Sequence, residues 1–183
     1  MRLGISPAGG VFWGALYLLL SGREFLSLLA AAAAHELGDI AALVLLRARV
    51  EAVCLTGSGL RIDYARELTR GGEIAAALSG PAAGMLWCAA ANMLGAGLSA
   101  QLSLVLTLFN LLPLSPLDGG RALRAAAGDG VSRVFDALLC TAAMAAGLWC
   151  ASLGMGAGGA VAAGWLCIYT LFSTCKSRRD GIK

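Results

Sequence analysis

Apolar residues run along the chain in six blocks, separated by short polar or charged stretches. A helix that crosses a bilayer needs about 17–25 mostly apolar residues, and the blocks approach or reach that length. The pattern therefore predicts six membrane-spanning helices, and Pro7, Gly9 and Gly10 predict a non-helical start to the first. The helices are expected at about 3–20, 25–46, 74–94, 98–114, 134–153 and 160–172.

The overall composition agrees with this pattern. A soluble domain carries about 25% charged and roughly 45–50% apolar residues, whereas this chain of 183 residues is 14% charged and 58% hydrophobic. We therefore expect an all-α polytopic membrane protein, folded as a single domain over 1–183 in the lipid bilayer. A net charge of +3 is too small to indicate nucleic-acid binding, and the six cysteines contain no CxxC pair, so we interpret them as packing residues.

Positive charges are distributed unevenly between the two sides that six spans define. The side with both termini holds Arg2, Arg47, Arg49, Arg61, Arg66, Arg70, Arg121, Arg124, Arg133, Lys176, Arg178, Arg179 and Lys183, and the other side holds Arg23. Because cytoplasmic loops are enriched in lysine and arginine, both termini and the basic tail 173–183 are predicted to be cytoplasmic.

The start of the chain resembles a signal peptide, with Arg2 followed by an apolar run. Residues 21–24 lack a convincing cleavage site, so we expect a retained helix.

The connection between the second and third helices has a strand-like pattern. The runs 50–55 and 60–62 flank Thr56-Gly57-Ser58-Gly59, and such a cluster of small polar residues and glycines is typical of a turn. A small cytoplasmic β-hairpin is expected there.

Three ionisable residues lie within five positions of the second helix, in the sequence His35-Glu36-Leu37-Gly38-Asp39. Ionisable residues in a membrane span are rare and usually functional. Positions 35 and 39 share a helix face, with Glu36 about 100° of rotation away. This is the arrangement of the H-E-x-x-H zinc helix, where the first and fifth positions bind metal and the glutamate is the general base. The alternative is a polar cluster that bonds to a neighbouring helix.

A second unusual stretch ends the fourth helix, in the sequence N-L-L-P-L-S-P-L-D-G-G-R from Asn110 to Arg121. Two prolines three positions apart exclude a regular helix. Irregular backbone is tolerated at membrane depth where it is buried in protein or lines a wet cavity. Asp118 follows, with Gly119 and Gly120 expected to permit a sharp turn. Beside a helix that carries His35 and Glu36, this carboxylate is a candidate third metal ligand.

The pair "HELG" and "NLLPLSPLDGGR", about 75 residues apart, resembles the site-2 protease family of intramembrane zinc metalloproteases, and within it the stage IV sporulation protein FB-like branch of bacteria. The resemblance implies a protease core at about 1–130, two further spans at 134–172, and location in a bacterial cytoplasmic membrane. It implies cleavage of transmembrane or membrane-associated protein substrates by a zinc-bound water that Glu36 activates. The implied roles are Glu36 as general base, His35 and Asp118 as zinc ligands, and Asn110 and Pro113 beside the substrate.

Two positions depart from the family pattern. The second zinc histidine is replaced by Asp39, the chain has no other histidine, and the G-P-x-x-N pattern ends in Gly84. Asp39 can supply the missing ligand, but two carboxylates would cancel the charge of Zn²⁺ and favour a harder metal such as Mn²⁺. The open alternative is a catalytically impaired relative that binds membrane segments without cleaving them. A transporter is disfavoured because the fifth and sixth segments carry almost no polar residues.

Overall fold

A computed structural model describes residues 2–48, 50–56, 59–64, 68–115 and 117–154, together with residues 158, 159, 161, 163–165, 167, 168 and 170. The chain divides into two compact units, Met1–Leu111 and Leu112–Lys183. The first contains β1 (Arg2–Ile5), α1 (Pro7–Leu19), α2 (Gly22–Leu45), β2 (Val50–Thr56), β3 (Gly59–Tyr64), α3 (Arg70–Met93) and α4 (Gly97–Asn110), and the second contains α5 (Asp118–Ala127) and α6 (Asp129–Ser152).

Polar caps begin the first two helices. The Ser6 side chain accepts a hydrogen bond from Gly9 N, and Pro7 occupies the first turn of α1. Proline is favoured there because its missing N–H would have no intrahelical partner. The predicted non-helical start is therefore wrong for Gly9 and Gly10, which lie inside α1. Ser21 and Glu24 form a capping box that begins α2, with Glu24 Oε2 accepting from Ser21 N at 2.8 Å.

The predicted hairpin is confirmed, and it belongs to a sheet of three strands in the order β1-β2-β3. The strands β2 and β3 are antiparallel, with Val53 opposite Ile62. The turn residues 57–58 lie outside the described residues. The strand β1 pairs in parallel with β2 and was not predicted, because four residues at the start of an apolar block carry no local sign of a partner about 50 residues away.

Small residues line the packed faces of the first unit's helices. The buried positions of α2 recur every fourth residue, at Ala31, His35, Asp39 and Leu43. Those of α3 are mostly glycine and alanine, namely Gly72, Ala76, Ala77, Gly80, Pro81, Gly84 and Ala91. Small side chains let helix backbones approach closely, which is how helices associate in membranes. At Gly38 a Cβ atom would lie 2.5 Å from Ala83 Cβ and 2.6 Å from the Ser79 carbonyl oxygen.

The apolar surfaces of the helices identify a membrane protein. Among the described residues, the helices long and apolar enough to span a bilayer are α2, α3 and α6. They leave large apolar side chains on their outer faces, with Leu45 and Met93 exposed by 83% and 88%. Soluble monomers rarely present contiguous apolar surface of this extent, so the structure is suited to lipid.

The count of six spans remains a prediction. Helices α1 and α4 have 13 and 14 residues, fewer than the roughly 17 that a span needs. The sixth predicted span, 160–172, is described only in part, and the basic tail 173–183 lies outside the described residues. The five cysteines that the structure describes are free thiols, and Cys175 falls in the undescribed tail.

The stretch 118–133, which connects the fourth and fifth predicted spans, is mostly helical. Helix α5 begins at Asp118, and α6 begins at Asp129, five residues before the predicted start of the fifth span. Gly128 separates the two helices with a φ of +86°, a conformation that suits glycine. Alanine, leucine and arginine are strong helix formers, and in 121–127 they outweigh the two glycines of the first turn.

The contact at Gly38 predicts a specific loss of stability. The variant Gly38→Ala is expected to lower the free energy of unfolding by about 1–3 kcal/mol, because its Cβ would overlap the Ser79 carbonyl oxygen and Ala83. Gly14→Ala in α1 is the matched control, since its Cβ would meet no atom within 4 Å, and it should be stabilising by up to about 1 kcal/mol. Unfolding in mixed micelles titrated with dodecyl sulfate measures the stability of both variants. A Gly38→Ala variant as stable as Gly14→Ala would contradict this packing.

Candidate metal site

His35 and Asp39 lie one helical turn apart on the buried face of α2. They are 5% and 8% exposed, and His35 Nε2 is 3.8 Å from Asp39 Oδ2. The predicted sharing of one face is therefore confirmed. Two atoms that each lie about 2.0–2.2 Å from one zinc ion can be at most about 4.4 Å apart. The imidazole nitrogen and the carboxylate oxygen meet that limit, so this pair fits a divalent cation as two of its ligands.

The Asp39 carboxylate is held by the middle of α3. Its Oδ1 atom accepts a hydrogen bond from Gly80 N at 2.7 Å and lies 3.1 Å from Ser79 Oγ. The Ser79 hydroxyl is also 2.7 Å from the Ala76 carbonyl oxygen, so its single proton serves one of these acceptors at a time. With Oδ1 directed to α3, the Oδ2 atom faces His35. Hydrogen bonds of this kind fix the orientation of a metal-binding carboxylate.

The Gly80-Pro81 step explains how a helix can offer a backbone amide to another helix. Proline has no N–H and its ring crowds the preceding turn, which distorts the local helical hydrogen bonding. A Cβ atom at Gly80 would lie 2.5 Å from His35 Nε2 and 2.6 Å from Asp39 Oδ1. Glycine at position 80 therefore keeps the space beside the His35 nitrogen and the Asp39 carboxylate free of side chain.

Gly84, where the chain departs from the family pattern, is a contact point between α3 and α4. A Cβ atom there would overlap the hydroxyl of Thr107, and the Ser103 hydroxyl donates a hydrogen bond to the Gly84 carbonyl oxygen at 2.8 Å. Ser103 and Thr107 are both fully buried. In this chain α3 and α4 pack closely at position 84, so an asparagine side chain would not fit there without a shift of α4.

Glu36 follows His35 on α2 and is half-buried, in contrast to its buried neighbour. Successive helical residues are rotated by about 100°, so Glu36 lies at the edge of the buried face. This is the placement that the sequence predicts. A carboxylate at such an edge can exchange protons with water more readily than one on the fully buried face.

Asp118 lies in the second unit, at the first position of α5, and is 7% exposed. Its Oδ1 atom accepts a hydrogen bond from Arg121 Nη1 at 3.2 Å. The positive end of the helix dipole also favours a carboxylate at this position. The expected sharp turn at Gly119 and Gly120 is wrong, because both residues are helical. Gly120 serves packing instead, since a Cβ atom there would overlap the Leu114 carbonyl group.

The two residues predicted to border the substrate lie around the end of α4. Asn110 is the last residue of that helix, and its Nδ2 atom donates to the Leu106 carbonyl oxygen at 3.0 Å. Pro113 is half-buried in the segment that follows. The Asn110 amide thus satisfies a carbonyl at the helix end, and the substrate role of both residues remains a prediction.

Sequence reasoning missed Ser79 and Arg121 as partners of the candidate ligands. The signal for Arg121 was present, since it follows Asp118 by three positions and such pairs meet on a helix. For Ser79 the sequence shows a serine before a helical Gly-Pro step but not which helix lies opposite. Both residues bond to a carboxylate in the structure.

No protein-family model and no curated protein matches the chain. Among solved structures, the site-2 protease from Methanocaldococcus jannaschii is similar, with a TM-score of 0.70 and 19% sequence identity over 95% of this chain and 92% of that chain. At this identity the likeness establishes the fold, and the narrower resemblance to the sporulation branch remains a prediction. The chain therefore has the fold of a site-2 protease, with a histidine and an aspartate buried together on its second helix.

Proposed function

We propose that the protein is an intramembrane zinc metalloprotease that cleaves transmembrane or membrane-associated proteins. The observation that carries the proposal is the buried pair of His35 and Asp39 on an apolar helix, beside a glycine at which any side chain would collide with both residues. Buried ionisable residues in such a helix are unfavourable unless they are partnered or bind metal. The likeness in fold to a known site-2 protease supports the same reading.

The proposed metal ligands are His35, Asp39 and Asp118. Each offers one ligand atom of a type that divalent metals take, an imidazole nitrogen or a carboxylate oxygen. When bound, zinc would polarise the scissile carbonyl and lower the pKa of water. Two carboxylates weaken both effects by neutralising the ion, and they make Mn²⁺ a competing occupant.

Glu36 is the proposed general base. It would accept a proton from the attacking water as the water oxygen bonds to the scissile carbonyl carbon. It would then return that proton to the amide nitrogen as the C–N bond breaks. The half-buried position of Glu36, next to His35 along α2, supports this role, because it places the carboxylate beside a proposed ligand without burying it fully.

Asp39 is suited to act as a metal ligand in place of the histidine that the family has at this position. The hydrogen bonds from Gly80 N and Ser79 Oγ are of the kind a carboxylate accepts, and they leave Oδ2 on the His35 side. An aspartate reaches less far than a histidine, so the ion would have to lie closer to the backbone of α2. A side chain at position 80 would collide with His35 and Asp39, and glycine avoids that collision.

A catalytically impaired relative that binds membrane segments is the second candidate. It is favoured by the same hydrogen bonds, because the partners on α3 satisfy one oxygen of Asp39 without any metal. In both readings the partner is a membrane protein or membrane-associated peptide that lies near Asn110 and Pro113. We further propose that the protein resides in a bacterial cytoplasmic membrane with both termini in the cytoplasm, following the distribution of its positive charges.

Glu36→Gln is expected to abolish proteolysis while leaving metal content unchanged, because glutamine cannot accept the proton from water. The loss should be about 10²–10⁴-fold in cleavage rate. Cleavage of a membrane-embedded peptide library by purified protein in detergent or liposomes measures it. The matched control is Glu51→Gln, at an exposed position of β2, which should cleave at the wild-type rate. Undiminished cleavage by Glu36→Gln would refute the general-base role.

Metal content separates the two candidate functions. The proteins are loaded with Zn²⁺ or Mn²⁺ and dialysed, and their metal content is measured by mass spectrometry. The wild-type protein should retain one ion per chain, and the variants His35→Ala and Asp39→Ala should lose it. Asp129→Asn, at a carboxylate in an exposed ion pair, is the control and should retain the ion. A wild-type protein that stays empty while Asp39→His fills would establish the impaired relative instead.

A further inference from the structure

A buried carboxylate on α6 has no role in the proposed chemistry. Asp136 is 7% exposed, and Ser132, one turn earlier, is 1% exposed. They lie in a helix that is apolar and long enough to cross a membrane. Asp136 is a buried charged residue within the fifth predicted span, 134–153, and Ser132 lies just before it. A buried carboxylate in such a helix is unfavourable by several kcal/mol unless other groups hydrogen-bond to it, so its partners indicate its role.

The partner of Asp136 is Ser115, in the proline-containing segment that connects α4 to α5. Ser115 N donates to Asp136 Oδ1 at 2.7 Å, and the Ser115 hydroxyl donates to Asp136 Oδ2. The Ser132 hydroxyl lies 3.3 Å from that of Ser115. One carboxylate thus binds both the backbone and the side chain of a single residue, which fixes its position and its orientation.

The segment needs such an external partner. Pro113 and Pro116 lack an N–H, and the backbone bonds described within 112–117 are two short turns, from Leu114 N to Leu112 O and from Leu117 N to Leu114 O. Irregular backbone at membrane depth is stable only where other parts of the protein satisfy it. Leu114 and Leu117 are 2% and 7% exposed, so the segment is buried on both sides of Ser115.

The segment in turn supports the helix end that carries Asp118. Gly120 packs directly against the Leu114 carbonyl and would place a Cβ atom 2.6 Å from Ser115 N. Arg121 N donates to the Leu117 carbonyl oxygen at 3.0 Å, and the Arg121 side chain donates to Asp118. The first turn of α5 therefore rests on the residues that Asp136 holds.

We propose that Asp136 is a positioning residue: through Ser115 it fixes the first turn of α5 and so the carboxylate of Asp118. The consequence for metal binding rests on the proposed function, in which Asp118 is a ligand. The consequence for the order of the α5 turn does not. Outer partners of metal ligands typically change metal affinity by 10–100-fold when removed.

The test compares Asp136→Ala, Ser115→Ala and the double variant with Thr141→Ala, using the full chain in detergent. Thr141 is an exposed residue of α6 whose hydroxyl bonds to its own helix, so it controls for general effects on α6.

Hydrogen exchange of the Ser115 and Arg121 amides is measured without metal, and Zn²⁺ affinity is measured by chelator competition. We expect exchange at both amides to rise at least about tenfold and Zn²⁺ affinity to fall about 10–100-fold. Ser115→Ala should have the smaller effect, because it keeps the bond from the backbone N–H to Asp136. The double variant should lose no more than Asp136→Ala alone, and Asp136→Asn should recover part of the loss.

The outcomes are distinguishable. Unchanged exchange in Asp136→Ala, or an equal rise in Thr141→Ala, would overturn the positioning role whether or not metal binds. Faster exchange with unchanged Zn²⁺ affinity would also overturn it, since Asp118 would then not depend on the segment. A wild-type protein without Zn²⁺ affinity would refute the proposed function, and the exchange data alone would then decide whether Asp136 orders the α5 turn.

Discussion

The hydrogen bonds between the Asp39 carboxylate on α2 and the Ser79-Gly80 step on α3 are the interaction on which the candidate site depends. A carboxylate buried in an apolar helix must find donors, and the neighbouring helix supplies a hydroxyl and a backbone amide. The amide is within reach because Gly38 and Gly80 remove the side chains that would separate the helices. The close approach of α2 to α3 and the orientation of Asp39 thus share one cause.

The same combination of hydroxyls and small residues recurs along α4. Ser99 accepts a hydrogen bond from Trp87 Nε1 at 3.0 Å, and Ser103 donates to the Gly84 carbonyl oxygen. In a bilayer the hydrophobic effect does not drive helices together, so close packing and such hydrogen bonds must do so. In the second unit, the hydrogen bond between Asp136 and Ser115 joins a helix to an irregular segment instead of to a second helix. The buried residues Asp39, Ser103 and Asp136 therefore mark places where neighbouring elements are held by hydrogen bonds.

Local periodicity was sufficient to predict the features that depend on neighbouring positions. The i, i+4 spacing of His35 and Asp39 predicted their shared face, and the Thr-Gly-Ser-Gly turn predicted the β2-β3 hairpin. Features that depend on distant partners were not predictable in this way. The parallel pairing of β1, the Ser79 contact and the Asp136–Ser115 contact each join residues that are far apart in sequence. The two glycines after Asp118 were misjudged because glycine permits a sharp turn but also permits close packing at a helix start.

X-ray absorption spectroscopy at the zinc edge of the zinc-loaded protein can show whether Asp39 binds the metal together with His35. We expect nitrogen and oxygen scatterers at about 2.0–2.2 Å with the outer-shell signature of a single imidazole, and a change in the oxygen shell in Asp39→Asn. A sulfur shell at about 2.3 Å would instead place the zinc on cysteines and rule out the proposed site. A spectrum that is unaltered by Asp39→Asn would show that Asp39 does not bind the metal.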